Sequence, residues 1–100
     1  MEKADLGRIE AMEARLDACT AATSALDREL ERMEALKEDM QALFGYYGSE
    51  DWFDDREAEL PEGTKAGVLS EDAVYDEIDE LRGAAFRMLE LAADILKNRI

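Results

Sequence analysis

Residues 9–47 read IEAMEARLDACTAATSALDRELERMEALKEDMQALFGYY, and this stretch decides the fold. Its apolar residues recur at alternating intervals of three and four. In a heptad frame the a positions hold Ile9, Leu16, Thr23, Leu30, Lys37 and Phe44, and the d positions hold Met12, Cys19, Leu26, Met33, Met40 and Tyr47. A mean spacing of about 3.5 residues makes a seam that supercoils left-handedly with a partner helix. The pattern predicts one long helix over about 4–47, with Ala11, Ala14, Ala18, Ala21, Ala22 and Ala25 adding intrinsic helix preference. Some forty residues at a rise of about 1.5 Å make roughly 60 Å of rod. Thr23 and Lys37 interrupt the seam at a positions, where polar residues set register at a cost in stability. Lys37 is read as carrying its ammonium out to water over an aliphatic stem. Cys19, at d, reads as a small buried hydrophobe rather than a nucleophile, which would need a neighbouring base or cation.

Downstream the composition changes. Residues 48–72 carry nine acidic and two basic side chains, a net −7 and half of the chain's formal −14. Ser49-Glu50-Asp51 has the order of a helix start: a serine to accept an orphan amide, then two acids at the positive end of the helix dipole. A short helix is predicted over about 50–59. Leu60-Pro61-Glu62-Gly63 ends it, since the residue before proline avoids the helical region. The acidic connecting loop then runs over 60–69. Ser70-Glu71-Asp72 repeats the capping device, with Leu69 and Val74 placed to form a hydrophobic staple, and a helix is predicted over about 71–98. Its seam runs Val74, Ile78, Leu81, Ala85, Met88, Ala92 and Ile95, widened by Tyr75, Leu89 and Leu96. That stripe is broader than one two-stranded seam requires.

The predicted fold is therefore all-α: a single domain over 1–100 built as a long antiparallel helical hairpin, coiled-coil-like, with a short middle helix and an acidic loop. The second long helix is shorter than the first, which leaves part of the first seam uncovered. A second copy of the chain covers it most simply, so a homodimer is expected.

Two segments resemble something known. Tyr46-Tyr47-Gly48-Ser49-Glu50-Asp51-Trp52 and Gly67-Val68-Leu69-Ser70-Glu71-Asp72-Ala73-Val74-Tyr75-Asp76 together resemble a family of short, acidic, helical bacterial proteins known as a domain of unknown function. The resemblance spans nearly the whole chain, but its specificity lies in those two segments, because the heptad helix matches any coiled coil. It implies a bacterial source and a free-standing small protein; it brings no activity, cofactor or catalytic residue.

Composition excludes several classes of function. With 26 acidic against 12 basic residues, the chain repels phosphate backbones and anionic membrane surfaces, which bind Lys and Arg. No apolar stretch approaches the ~20 residues of a membrane span. Met1-Glu2-Lys3-Ala4-Asp5 lacks the basic-then-apolar order of a signal peptide, so the cytoplasm is the expected compartment. There is no histidine and one cysteine, which removes the Glu-x-x-His di-iron pattern and structural zinc. Asp51, Asp54, Asp55, Glu57, Glu59 and Glu62 could offer oxygen ligands to Ca²⁺ or Mg²⁺, yet the alternating acids, central glycine and closing glutamate of a calcium loop are missing. The expectation is no catalytic residue, no cofactor and no metal.

Five of the seven aromatic residues lie between positions 44 and 53. Tyr46, Tyr47, Trp52 and Phe53, with Tyr75 brought near by the hairpin, read first as a packed cap and second as an interaction surface, since Trp and Tyr dominate binding hot spots. The leading functional expectation is a non-enzymatic module for self-association or for binding an unidentified protein. An acidic inhibitor that imitates nucleic acid on a basic partner is the alternative; like-charged i,i+4 neighbours such as Glu13 with Asp17 and Glu34 with Glu38 fit it. A protein that binds a divalent cation through the acidic loop is third.

Overall fold

Asp5 starts the first helix. Its extended backbone (φ −85°, ψ 98°) and its Oδ1, which accepts the Arg8 amide at 3.0 Å, satisfy an otherwise orphaned donor of the first turn. From there α1 runs Leu6–Ala35. The computed structural model describes residues 3–97. After α1 it contains α2 (Lys37–Tyr46), α3 (Glu50–Glu57), a single 3-10 turn (Gly67–Leu69) and α4 (Ala73–Leu96). The chain is all-α, as the sequence predicts. The chain divides into two compact units, Met1–Glu38 and Asp39–Ile100.

The first unit is essentially α1. Its one ion pair among the described residues, Arg32 Nη1 to Glu29 Oε1 at 2.7 Å, is exposed and adds only a few tenths of a kcal/mol to the helix. None of the helix's residues is buried, which corrects the expectation for Cys19: this d-position thiol is exposed. A second correction concerns continuity. The single helix predicted over about 4–47 is interrupted at Leu36, whose backbone relaxes to φ −89°, ψ 0°. Its amide is shared between the carbonyls of Arg32 (3.1 Å) and Met33 (3.2 Å). Such sharing between i−4 and i−3 acceptors tightens a helix end into a 3-10-like turn. No proline or glycine occurs between Gly7 and Gly45, so no residue type in the sequence announces the break.

The second unit shows how short-range chemistry sets chain direction. Gly48 terminates α2 in the left-handed region (φ 76°), a conformation that glycine adopts without a Cβ clash. Ser49 then caps α3, its Oγ accepting the Trp52 amide at 3.2 Å, with Glu50 and Asp51 in the first turn. This helix ends at Glu57, two residues before the predicted boundary near 59. The chain next turns at Pro61-Glu62-Gly63-Thr64, where Thr64 donates its amide to the Pro61 carbonyl at 3.2 Å and Gly63 takes φ 83°. A positive φ at the third position fits a type II turn. The segment read as loop over 60–69 includes the 3-10 turn, closed by Leu69 N–H to Ala66 O at 3.0 Å. The N-cap of α4 is Asp72, whose side chain makes no capping bond, rather than Ser70; two residues earlier, Ser70 still supplies the hydroxyl acceptor, its Oγ taking the Ala73 amide at 3.0 Å. The helix predicted to about 98 is described to Leu96, and residue 98 lies outside the described residues.

Because both serines are single hydroxyl acceptors, Ser49→Ala and Ser70→Ala are each expected to lower the stability of this unit by about 1 kcal/mol. Urea unfolding reads this as a lower midpoint at unchanged slope. Midpoints equal to that of the native chain would remove the capping account.

Candidate functional site: the aromatic junction

The core of the second unit is two side chains. Among the described residues only Trp52 (4% exposed) and Val74 (3%) are buried. Trp52 projects from the first turn of α3, where the Ser49 cap fixes its backbone. Its indole Nε1 donates to the Val68 carbonyl of the 3-10 turn at 2.8 Å. Burying an indole without such an acceptor would leave an unpaired donor, at a cost of about 1–3 kcal/mol. Tyr47 and Phe53 meet the ring edge-on, each with centroids 5.0 Å away and interplanar angles of 66° and 75°. The Arg56 guanidinium lies over the ring, 4.7 Å from its centroid, an attractive placement for a cation on the indole face.

Glu71 ties the start of α4 to the same cluster. Its backbone carbonyl accepts the Tyr47 hydroxyl at 2.8 Å, and its Oε1 lies 3.4 Å from Arg56 Nη2. The end of α2, α3, the 3-10 turn and the N-terminus of α4 are thus joined through one tryptophan. Tyr46, next along the chain, donates its hydroxyl to Asp55 Oδ2.

That last bond has an electrostatic consequence. Donation to Asp55 favours the neutral phenol; partial burial and the negative charges of Asp55 and Asp51 act in the same direction. The Tyr46 pKa is pushed from 10.0 up to about 12. Tyr46 therefore stays protonated near neutral pH and cannot serve as a base there. Since the folded value lies above the ordinary one, its contribution to stability is complete below pH 10 and is lost as pH rises toward 12. In an absorbance titration, Tyr46→Phe is expected to remove a phenol step near pH 12. A titration near pH 12 that Tyr46→Phe leaves unchanged would rule out the Asp55 bond in solution.

Of the five aromatic residues singled out in the sequence, the structure brings Tyr47, Trp52 and Phe53 into one stack. Tyr46 joins the junction through Asp55, and Tyr75 stands exposed outside the stack. Phe53 combines ring contact with Trp52 and an exposed outer face. Sequence reading missed three participants. Arg56 and Glu71 carry a signal only as an opposite-charge pair of unknown proximity, and the Val68 carbonyl carries none, because a backbone acceptor is invisible in residue type. Among the described residues no group of three or more Cys, Asp or Glu side chains converges to hold a cation. No helix among them is long and apolar enough to cross a membrane.

The fold and junction thus define a small, acidic, all-helical protein whose buried chemistry ties four elements together. The chain belongs to the family described as Domain of unknown function (DUF4298), whose family model matches residues 9–91. The match includes both segments on which the resemblance rested. No curated protein and no solved structure matches the chain.

Proposed function

We propose that this protein is a non-enzymatic cytoplasmic module that works by helix pairing, first with a second copy of itself. One observation carries the reading: large apolar side chains stand exposed at heptad spacing on both long helices. They include Leu16, Leu26 and Leu30 on α1 and Met88, Leu89 and Ile95 on α4. Single exposed leucines are ordinary, but rows of them on one helix face mark surfaces that a partner covers. The aromatic junction supports the reading from the other side. Its polar groups are spent on one another, so it reads as the fixture that sets the direction of α4 rather than as a place for chemistry.

Light scattering after size exclusion, across a dilution series, tests this. The expected result is a mass near twice the 11.3 kDa of the chain at high concentration, falling toward the single-chain value on dilution. A single-chain mass at every concentration would remove self-association.

A further inference from the structure

α1 is the longest helix described and the least supported. None of its 30 residues is buried. Beyond the Asp5 cap, its side-chain bonds among the described residues come to one exposed ion pair. Helices in folded proteins take most of their stability from a packed face, and isolated helices in water are marginal. With no residue buried, α1 has to be held by its own sequence.

That sequence works against it. Residues 17–27 concentrate weak helix formers: Asp17, Cys19, Thr20, Thr23, Ser24 and Asp27 take six of the eleven positions. Each favours the helix less than alanine does, and the hydroxyls and carboxylates among them offer the backbone competing bonds. Charge adds to the deficit. At spacings of three and four, where helix side chains meet, α1 sets like charges together five times: Glu10 with Glu13, Glu13 with Asp17, Asp27 with Glu31, Arg28 with Arg32, and Glu31 with Glu34. Only Arg28 with Glu31 and Glu29 with Arg32 have opposite signs. A like pair weakens a helix about as much as an opposite pair supports it. The first turn holds no acid, and Arg8 stands there at the positive end of the helix dipole.

The seam can offset these terms, but only when it is covered. Its a and d side chains stand in water, Leu16 at 58% and Met12 at 50% exposed. Removing that area from water is the favourable contribution α1 lacks in the single chain.

We propose that α1 is a conditional helix, its folding coupled to the covering of its seam by a second copy: fully formed in the dimer and only partly populated in the single chain. The inference rests on the self-association reading and supplies its regulation. Ordering α1 draws on the energy of association, so pairing is weaker than the apolar area alone implies and reverses on dilution. Whatever steadies α1 from its outer side should also tighten the dimer without touching the interface, because the pairing-competent state becomes more populated.

Amide hydrogen exchange on the full chain, read beside light-scattering mass over one dilution series, tests this. Residues 17–27 are expected to gain protection in step with the dimer fraction, about tenfold or more across the series. The amides of α3, anchored by buried Trp52, are expected to keep constant protection. Asp17→Lys with Glu31→Lys supplies the second arm. Both positions are b in the heptad frame, away from the seam, and D17K/E31K makes the pairs with Glu13, Asp27 and Glu34 attractive. Residues 17–27 of the dilute variant should be about tenfold better protected, and dimerisation should tighten by a similar factor. Glu59→Lys with Glu62→Lys changes net charge equally but outside α1, and should do neither.

A chain that dissociates on dilution while residues 17–27 stay protected keeps self-association and overturns the conditional helix. A D17K/E31K variant no better protected than the native chain, or matched by E59K/E62K, overturns the charge pattern as its cause. A single-chain mass at every concentration removes self-association; the conditional helix then stands on low protection that D17K/E31K raises, and falls with high protection.

Discussion

Trp52→Ala is expected to unfold the second unit at room temperature. The unit spans Asp39–Ile100, and at about 0.05–0.15 kcal/mol per residue its whole stability is of order 3–9 kcal/mol. Truncating a buried tryptophan costs roughly 3–5 kcal/mol through lost transfer energy and the cavity left behind. Here no second layer exists to collapse into that cavity, because Val74 is the only other buried residue described. The substitution also strands the Val68 carbonyl, removes the edge contacts of Tyr47 and Phe53, and takes the ring from beneath Arg56. Trp52→Phe separates these effects: it keeps an aromatic ring but deletes the Nε1 donor, so a smaller loss of about 1–2 kcal/mol is expected. Trp52 is the single tryptophan, which makes fluorescence blind to the variant. Amide hydrogen exchange is the suitable readout, with protection lost together in α3, the 3-10 turn and the first turns of α4. Protection that persists in those segments of Trp52→Ala would mean that the junction is held by something other than the indole.

The same junction shows what a sequence can and cannot reveal. Ser49 and Ser70 were legible because a hydroxyl taking a first-turn amide is a contact between residues three apart, written in residue type and spacing. The heptad row of α1 and the broad stripe of α4 were legible for a similar reason, as periodicity is a property of the sequence itself. The interruption at Leu36 was not. It is a shift in which carbonyl receives one amide, and neither Leu36 nor its neighbours are helix breakers. Asp5 as a cap was also missed, although an aspartate just before an apolar-periodic run is a recognised signal; no acid in the first turn of α1 reinforced it.

The aromatic cluster was half legible. Clustering along the chain placed Tyr46, Tyr47, Trp52 and Phe53 in one neighbourhood, but which rings turn inward depends on the backbone direction after Gly48. Tyr75 joins them in sequence terms only through the expected hairpin. One residue earlier, Val74 faces inward instead, and neighbouring positions on a helix point about 100° apart. A one-residue difference in phase thus separates the core from an exposed ring. The staple signal, Leu69 with Val74, already favoured the residue that is in fact buried.

Val74→Asp is expected to be as damaging as the loss of the tryptophan, and in a way that depends on pH. The side chain is 3% exposed, so an ionised carboxylate there loses its hydration with no cation among its neighbours in sequence. Glu71, Asp72, Asp76 and Glu77 surround it with like charge. The helix N-terminus works the other way, favouring an acid by about 0.3–1 kcal/mol, which is less than the several kcal/mol of desolvation. Desolvation wins. The introduced carboxyl should therefore have a folded pKa above its ordinary value of about 3.9. The direction of the pH effect follows: the defect is full where the group is ionised in the unfolded chain and must be neutralised to be buried, and it shrinks as pH falls and the unfolded chain becomes protonated too. Val74→Asn supplies the reference, being similar in shape and unable to titrate. Urea midpoints of the two variants are expected to differ widely at pH 7 and to converge toward pH 4, while the acid sensitivity of the remaining carboxylates cancels in the comparison. A constant gap at all pH values would show that the substituted side chain escapes to water, and Val74 would then be a residue the fold can do without.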